Sequence, residues 1–111
     1  MLTMARTGHT KPMRNSKDCA GALRAMGDDT RLRILQSLLY RDRCVNEIAQ
    51  ELDLPQPHVS HHLQILRNAG LVEGQRDGQR ICYRLLPEIG ASLADQKNPA
   101  IDLGCCRISF R

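Results

Sequence analysis

Two adjacent cysteines, Cys105 and Cys106, are the most unusual chemical feature of this 111-residue chain. Adjacent thiols rarely arise from packing needs alone, and thiolates are preferred ligands of soft metal ions. Two thiolates and a third soft ligand suit trigonal arsenite or antimonite, whereas a fourth ligand suits zinc or cadmium. We therefore predict a thiophilic metal or metalloid site here, within one subunit or shared between two.

Three further cysteines, Cys19, Cys44 and Cys82, are candidates for the third ligand. Cys19 falls on an apolar helical stripe, where a cysteine is more often a small buried hydrophobe. Cys44 stands at a predicted helix start, where the helix dipole favours the reactive thiolate. Cys82 lies on a predicted strand and is the weakest candidate. The preferred ligand set is Cys105 and Cys106, with Cys19 or Cys44 added.

Two other kinds of thiol chemistry remain open at this point. Cys44 and either Cys105 or Cys106 could form a disulfide or polysulfide under oxidants, which would make the chain a redox sensor. The spacing from Cys105 to Arg111 matches the C-x5-R loop of cysteine phosphatases and related arsenate reductases. That loop must lead into a helix N-terminus. Because the sequence given ends at Arg111, no enzyme activity is expected.

A second feature is the absence of acidic residues between Asp53 and Glu73. Helical spacing places Val59, Leu63 and Leu66 on one side of a helix and polar side chains on the other. Such a face suits donor and acceptor patterns at base edges, although a solvated surface is the simpler interpretation of any single residue. The predicted base contacts are Gln56, Ser60, His61 and Gln64, with His58 at the edge, and the predicted phosphate contacts are Arg67, Arg76, Arg80 and Arg84.

The composition indicates one small basic domain. The net charge is +4, and the hydrophobic content of 41% with only 3% aromatic residues requires an aliphatic core. A chain of this size often gains stability by dimerising. No apolar run approaches the roughly 18 residues of a membrane span, and no apolar segment follows the basic N-terminus as a signal peptide requires. A cytoplasmic location without membrane association is expected.

The spacing of apolar residues and the positions of Gly, Pro and capping residues predict the helices and strands that carry these side chains. We expect a flexible basic arm over residues 1–15, a winged helix-turn-helix over 16–97 and a cysteine-containing tail over 98–111. Four helices are predicted before Gly70, then a hairpin turning at Asp77-Gly78, and a last short helix from Glu88 to Lys97. The predicted fold class is mainly α with a small β-hairpin, in a homodimer.

Three segments together resemble the ArsR/SmtB family of bacterial metal- and metalloid-sensing repressors. They are ALRAMGDDTRLRIL, VNEIAQELDLPQPHVSHHLQILRNAGLV and RDGQRICYRL, which cover roughly residues 19 to 86. Asp29 stands where the family usually has proline. The resemblance implies a homodimer whose recognition helices enter successive major grooves of an imperfect inverted repeat. It also implies repression of transcription, and release from double-stranded operator DNA when an inducer binds.

The sensor positions of that family are poorly matched. Many arsenic and cadmium sensors carry Cys-Val-Cys where this chain has Cys44-Val45-Asn46. The zinc sensors use Asp and His ligands on a long final helix, and Glu88 to Arg111 contains no histidine. Arsenite or antimonite at Cys105 and Cys106 is therefore the preferred inducer. A metal-binding interaction module without specific DNA binding is the remaining alternative.

Overall fold

A computed structural model of the chain describes residues 15–89 and 99–110. These residues form four helices and five short strands, which confirms the predicted mainly-α winged helix-turn-helix. The elements are α1 (Ser16–Met26), α2 (Asp29–Ser37), β1 (Arg43–Cys44), α3 (Val45–Leu52), α4 (Gln56–Asn68), β2 (Val72–Asp77), β3 (Arg80–Leu85), β4 (Ala100–Asp102) and β5 (Arg107–Ser109). No helix among the described residues is long and apolar enough to cross a membrane.

The core forms where the apolar faces of the four helices meet. Val59, Leu63 and Leu66 of α4 are completely buried, which confirms the predicted buried face of this helix. For α1, helical spacing predicts an apolar stripe of Cys19, Ala22, Leu23 and Met26. This prediction is wrong at Leu23, which is 42% exposed, while Ala25 is buried in its place. Hydrophobicity alone defines the predicted stripe, whereas packing against α2 and α4 selects a slightly rotated face.

The ends of α4 are fixed by local backbone chemistry. Pro57 lies in its first turn, where the missing N–H has no helical partner to lose. At the other end Gly70 adopts a φ of 81°, and the Leu71 N–H donates to the Leu66 carbonyl at 3.0 Å. This is the arrangement of a Schellman cap, which favours glycine because L side chains rarely adopt such a φ. The cap directs the chain from α4 into β2.

The wing is an antiparallel hairpin of β2 and β3, to which the short strand β1 adds in the order β1-β3-β2. Asp77 pairs with Arg80, so the two-residue loop is Gly78-Gln79 and the predicted Asp77-Gly78 turn is wrong by one position. Gly78 has a φ of 66° at the first loop position, where a type II′ turn favours glycine. The sequence did not indicate β1, because its two residues pair with a strand far along the chain.

The C-terminal segment forms a second antiparallel sheet rather than a detached tail. Ala100, Ile101 and Leu103 are completely buried, and the Asp102 N–H donates to the Ile89 carbonyl at 2.9 Å. The weak alternation of apolar residues in this segment predicts an extended conformation, which the structure confirms, and β4 and β5 pack against the main core. The arm predicted over residues 1–15, except its last residue, and most of the helix predicted from Glu88 to Lys97 lie outside the described residues.

A polar cluster connects the first two helices to α4. The Arg31 Nε donates to the Ala25 carbonyl at 2.6 Å, and its Nη1 lies 3.2 Å from His62 Nδ1. Asp28 accepts from the Arg31 backbone N–H at 3.1 Å and so caps α2. Burial lowers the pKa of His62, and the Arg31 guanidinium lowers it further, while the Asp28 carboxylate opposes this shift. The neutral imidazole therefore fits this cluster best.

Acidification is predicted to destabilise the fold through His62. Its pKa is lower in the folded chain than the ordinary 6.5, so the unfolded chain binds the proton more readily. The free energy of unfolding should fall as the pH drops from about 7.5 to about 5.5, and less steeply in His62→Gln. Urea unfolding across this range measures the slopes. His58→Gln, on the exposed face of α4, is the control and should keep the native slope; equal slopes in all three proteins would contradict the prediction.

Candidate functional site

The outer face of α4 is polar, exposed and free of carboxylates. The structure exposes all five side chains that the sequence predicted for this surface, whereas Val59, Leu63 and Leu66 of the same helix are buried. The Gln64 Nε2 donates to Asn68 Oδ1 at 3.2 Å, which restricts the orientation of that amide. The exposed side chains are Gln56, His58, Ser60, His61 and Gln64.

The four predicted phosphate-binding arginines are exposed, but they differ in their surroundings. Arg84 forms an ion pair with Glu73 across the wing, and Arg80 lies 3.4 Å from the Asp77 carboxylate at its tip. Arg76 reaches the Gly78 carbonyl at 3.5 Å, and Arg67 projects from the last turn of α4. Within residues 15–89 and 99–110, neither Arg67 nor Arg76 forms an ion pair with a carboxylate.

An open depression of about 430 Å³ lies between the wing tip and the start of α4. It joins the polar helix face to the wing, so that the two predicted contact regions form one continuous surface. Asn46 and Gln79 were not predicted for this surface, since neither belongs to the periodic pattern of α4. Ile81 is 40% exposed here, although strand alternation grouped it with the buried Tyr83. The depression is lined by Val45, Asn46, Gln56, Ser60, Gln79, Arg80 and Ile81.

Three cysteines from the two ends of the chain meet at α1. The structure joins Cys19 and Cys105 by a disulfide, with Cα atoms 6.3 Å apart, and places the Cys106 sulfur 3.9 Å from each of the other two. All three sulfurs lie within 4.8 Å of one another. In the reduced state they present three soft ligands around one point, which fits a thiophilic ion with trigonal coordination. Among the described residues, no histidine or carboxylate joins this group.

Local structure explains why these thiols meet. Gly104 has a φ of 89°, and its N–H donates to Asp102 Oδ1 at 2.9 Å, which forms the tight turn between β4 and β5. The Leu103 N–H donates to the Cys106 carbonyl at 2.9 Å and closes the turn. Burial of Leu103 then holds the turn against the core beside the buried Cys19 of α1.

Cys44 does not join this group, because it lies on β1 directly opposite Cys82 of β3. The structure joins these two cysteines by a disulfide. Of the ligands that the sequence proposed, Cys19, Cys105 and Cys106 therefore come together and Cys44 does not. The predicted disulfide between Cys44 and Cys105 or Cys106 is also absent, because β1 pairs with β3 and Cys44 therefore lies in the sheet of the wing.

The segment after Cys105 is not a phosphate-binding loop. Such a loop leads into the N-terminus of a helix, whose free N–H groups bind the anion. Here Cys105 and Cys106 are followed by the strand β5, which pairs with β4. The C-x5-R spacing therefore has no phosphatase geometry in the described residues.

Comparison with known proteins agrees with this architecture. Residues 28–74 match the model of a family described as bacterial regulatory protein, arsR family. The chain is 45% identical over 75 residues to the HTH-type transcriptional repressor SmtB of Mycobacterium tuberculosis. That match covers 67% of this chain and 56% of the relative, so this chain spans about half the length of that relative.

Two further matches cover more of the relative. The chain is 32% identical over 102 residues to a probable mercury resistance operon repressor of Streptomyces lividans, covering 86% of this chain and 80% of that protein. The solution structure of a homodimeric winged helix-turn-helix DNA-binding domain from Mycobacterium bovis, a possible ArsR-family regulator, matches with a TM-score of 0.65. It is 35% identical, with 69% of this chain and 71% of that chain covered.

These relatives are transcriptional regulators and not enzymes, in agreement with the expectation from the sequence. The matched region contains α2, α3, α4 and the start of the wing, and α4 carries the polar face described above. This chain belongs to the arsR family of bacterial regulatory proteins.

Proposed function

We propose that this protein is a homodimeric transcriptional repressor that leaves its operator when a thiophilic metalloid binds Cys19, Cys105 and Cys106. The observation that carries the proposal is the meeting of three sulfurs within 4.8 Å on a scaffold that exposes a carboxylate-free helix face. Arsenite or antimonite is the preferred inducer. The protein acts in the cytoplasm, where its DNA lies and thiols are kept reduced.

The polar face of α4 supports the DNA-binding part of this proposal. Amides such as Gln56 and Gln64 can bind adenine edges in the major groove, and the exposed Ser60 and His61 lie between them. Arg67 and the wing arginines would then bind phosphates on either side, which fixes the register of the helix. Two copies related by a twofold axis match an inverted repeat, and the homodimeric Mycobacterium bovis domain supports that arrangement.

The number and type of ligands favour a trigonal metalloid over zinc. Zinc in proteins takes four ligands as a rule, whereas three thiolates complete the coordination of arsenite. Binding requires Cys19 and Cys105 as thiols, so the disulfide seen in the structure is the form that cannot bind the inducer. The similarity to a probable mercury resistance repressor supports a soft ion as the signal.

Coupling between the two sites has a physical route through the first helices. Cys19 belongs to α1, and the Ala25 carbonyl of the same helix accepts from Arg31. Arg31 in turn contacts His62 of α4, the helix proposed to bind the bases. An inducer that draws α1 towards the β4–β5 turn can therefore favour a different orientation of α4. It weakens DNA binding by the same free energy by which DNA opposes the inducer.

A thiol-redox repressor is the second candidate function, and the two disulfides of the structure favour it. A disulfide between Cys19 and Cys105 would connect α1 to the β4–β5 turn, as a metalloid bound to these thiols would. The signal would then be an oxidant rather than a metalloid. Release assays with each kind of compound separate these two proposals.

Base-contacting and phosphate-contacting residues should give different signatures in operator binding. Gln64→Ala should weaken binding by about 1–3 kcal/mol and relax the preference for one base pair. Arg76→Ala should weaken binding to all sequences similarly, and it should reduce the slope of log K against log salt by about 1, because one phosphate is no longer neutralised. Fluorescence anisotropy with operator and mutated duplexes measures both effects.

Gln36→Ala is the matched control for these variants, since Gln36 is an exposed glutamine on α2, outside the proposed surface. It should bind the operator as the native protein does. If native binding proves weak, salt-driven and independent of sequence, the chain is an interaction module and the repressor proposal is wrong.

Removal of the paired cysteines should abolish the response to metalloid. In a phosphine reductant, arsenite should release the native protein from operator DNA, and Cys105→Ser/Cys106→Ser should stay bound because two of the three ligands are missing. Cys82→Ser is the matched control, since it removes a thiol outside the group, and it should still be released. A double variant that dissociates at the native arsenite concentration would show that the inducer binds elsewhere.

A further inference from the structure

We infer that Cys44 and Cys82 form a second, independent thiol switch, which hydroperoxides oxidise to a disulfide that ties the wing to the helix-turn-helix. Its cysteines belong to neither the metalloid site nor the predicted base and phosphate contacts. The effect on DNA affinity rests on the proposed operator binding, whereas formation of the bond does not.

Strand pairing places these two cysteines next to each other. Cys44 is the last residue of β1 and Cys82 lies in β3, and the antiparallel pairing sets them directly opposite one another. Arg43, the other residue of β1, is held by its Nε donating to the Ser37 carbonyl at 2.7 Å and by an ion pair with Glu51 at 2.8 Å. The register of β1 is therefore fixed by contacts other than the sulfurs.

The surroundings of the pair suit oxidation by a small molecule. Cys82 is partly exposed at an open depression of about 340 Å³, whereas Cys44 is only 5% exposed. Cys44 is also the N-cap residue of α3, and the positive end of a helix stabilises a thiolate. Three arginines and two carboxylates line the depression, so an excess of one positive charge favours thiolates further. The charged residues are Arg43, Arg76, Arg80, Asp42 and Asp77.

The chemistry needs two thiols and one hydroperoxide. The Cys82 thiolate attacks the terminal oxygen of the hydroperoxide and the O–O bond breaks, which leaves a sulfenic acid at Cys82. The departing alkoxide or hydroxide takes a proton from solvent and becomes an alcohol or water. The Cys44 thiolate then attacks the Cys82 sulfur, and hydroxide leaves as water after taking a proton. Two electrons pass from the thiols to the peroxide, and exchange with a reducing dithiol reverses the reaction.

The bond would act on the unit that contacts DNA. The 38-residue separation between Cys44 and Cys82 encloses α3, α4 and β2, so closing it constrains the recognition helix and the wing together. With the bond in place, the wing tip keeps a fixed position relative to Gln56 and Ser60, which lie on the other side of the 430 Å³ depression described above. Pre-positioned arginines lose less freedom on binding, so the oxidised form should bind the operator more tightly.

Peptide mapping tests whether the bond forms. The native protein is fully reduced, treated with hydrogen peroxide, alkylated and digested with trypsin without reduction. Cys44 then lies in peptide 44–67 and Cys82 in peptide 81–84, while Cys19 lies in 18–24 and the Cys105-Cys106 pair in 98–107. We expect a peroxide-dependent link between the first two peptides that a dithiol removes. Free, alkylated Cys44 and Cys82 after peroxide treatment would overturn the inference.

A variant that keeps only this pair tests its effect. In Cys19→Ala/Cys105→Ser/Cys106→Ser, oxidation should raise the melting temperature by on the order of 10 °C. It should also tighten operator binding by about fivefold or more. The matched control adds Cys82→Ser, which should make both quantities insensitive to peroxide.

The outcomes separate this inference from the proposed function. A link that forms with no change in operator affinity would overturn the role assigned to the bond. If neither redox form binds operator DNA while the link forms, the repressor proposal fails and the thiol pair stands. If the triple variant does not fold, the native protein with and without Cys82→Ser provides the same comparison in the absence of metalloid.

Discussion

Burial of Val59, Leu63 and Leu66 determines where the polar face of α4 points, and the proposed DNA surface depends on this orientation. These side chains are completely buried among residues of the other helices, so α4 cannot rotate without exposing them. Each large aliphatic side chain contributes about 1.5–3 kcal/mol when fully buried. That free energy keeps Gln56, Ser60 and Gln64 on the outer side of the helix.

Two groups of thiols connect the elements around α4, and we propose that both act on its orientation. Cys19 and the Cys105-Cys106 turn connect α1 to the C-terminal hairpin, and Cys44 and Cys82 connect the start of α3 to the wing. Both connections join segments that are distant in the chain, with sequence separations of 86 and 38 between the bonded cysteines. A bond or a bound ion at either place therefore restricts relative motion of whole elements, while α4 itself carries no cysteine.

Local patterns in the sequence were enough to predict all four helices, α1 to α4, since the amphipathic spacing and the Gly70 cap are properties of short segments. The polar face of α4 followed from the same spacing. The strand β1, the one-residue shift of the wing turn and the packed β4–β5 hairpin could not be predicted in this way. Each depends on pairing between strands or on packing against the core, for which two or three residues carry little signal of their own.

The cysteines show the same limit at the candidate site. The adjacent pair at Cys105 and Cys106 indicated a thiophilic site, but the choice between Cys19 and Cys44 as a third ligand is a question of tertiary contact. The apolar stripe of α1 favours a packing role for Cys19, and the structure shows that a buried thiol can also face a turn that carries two more. Cys44 instead lies opposite Cys82, because β1 pairs with β3.

The charges of the wing bear on the proposed DNA binding. Arg80 and Arg84 are about half exposed and face Asp77 and Glu73. Exposed ion pairs of this kind contribute about 0–1 kcal/mol, because water screens them and two long side chains lose freedom. Exchanging a carboxylate for a phosphate therefore costs little, and the released counterions favour the complex. Until DNA is present, the carboxylates keep these guanidinium groups near the strands from which they would reach the backbone.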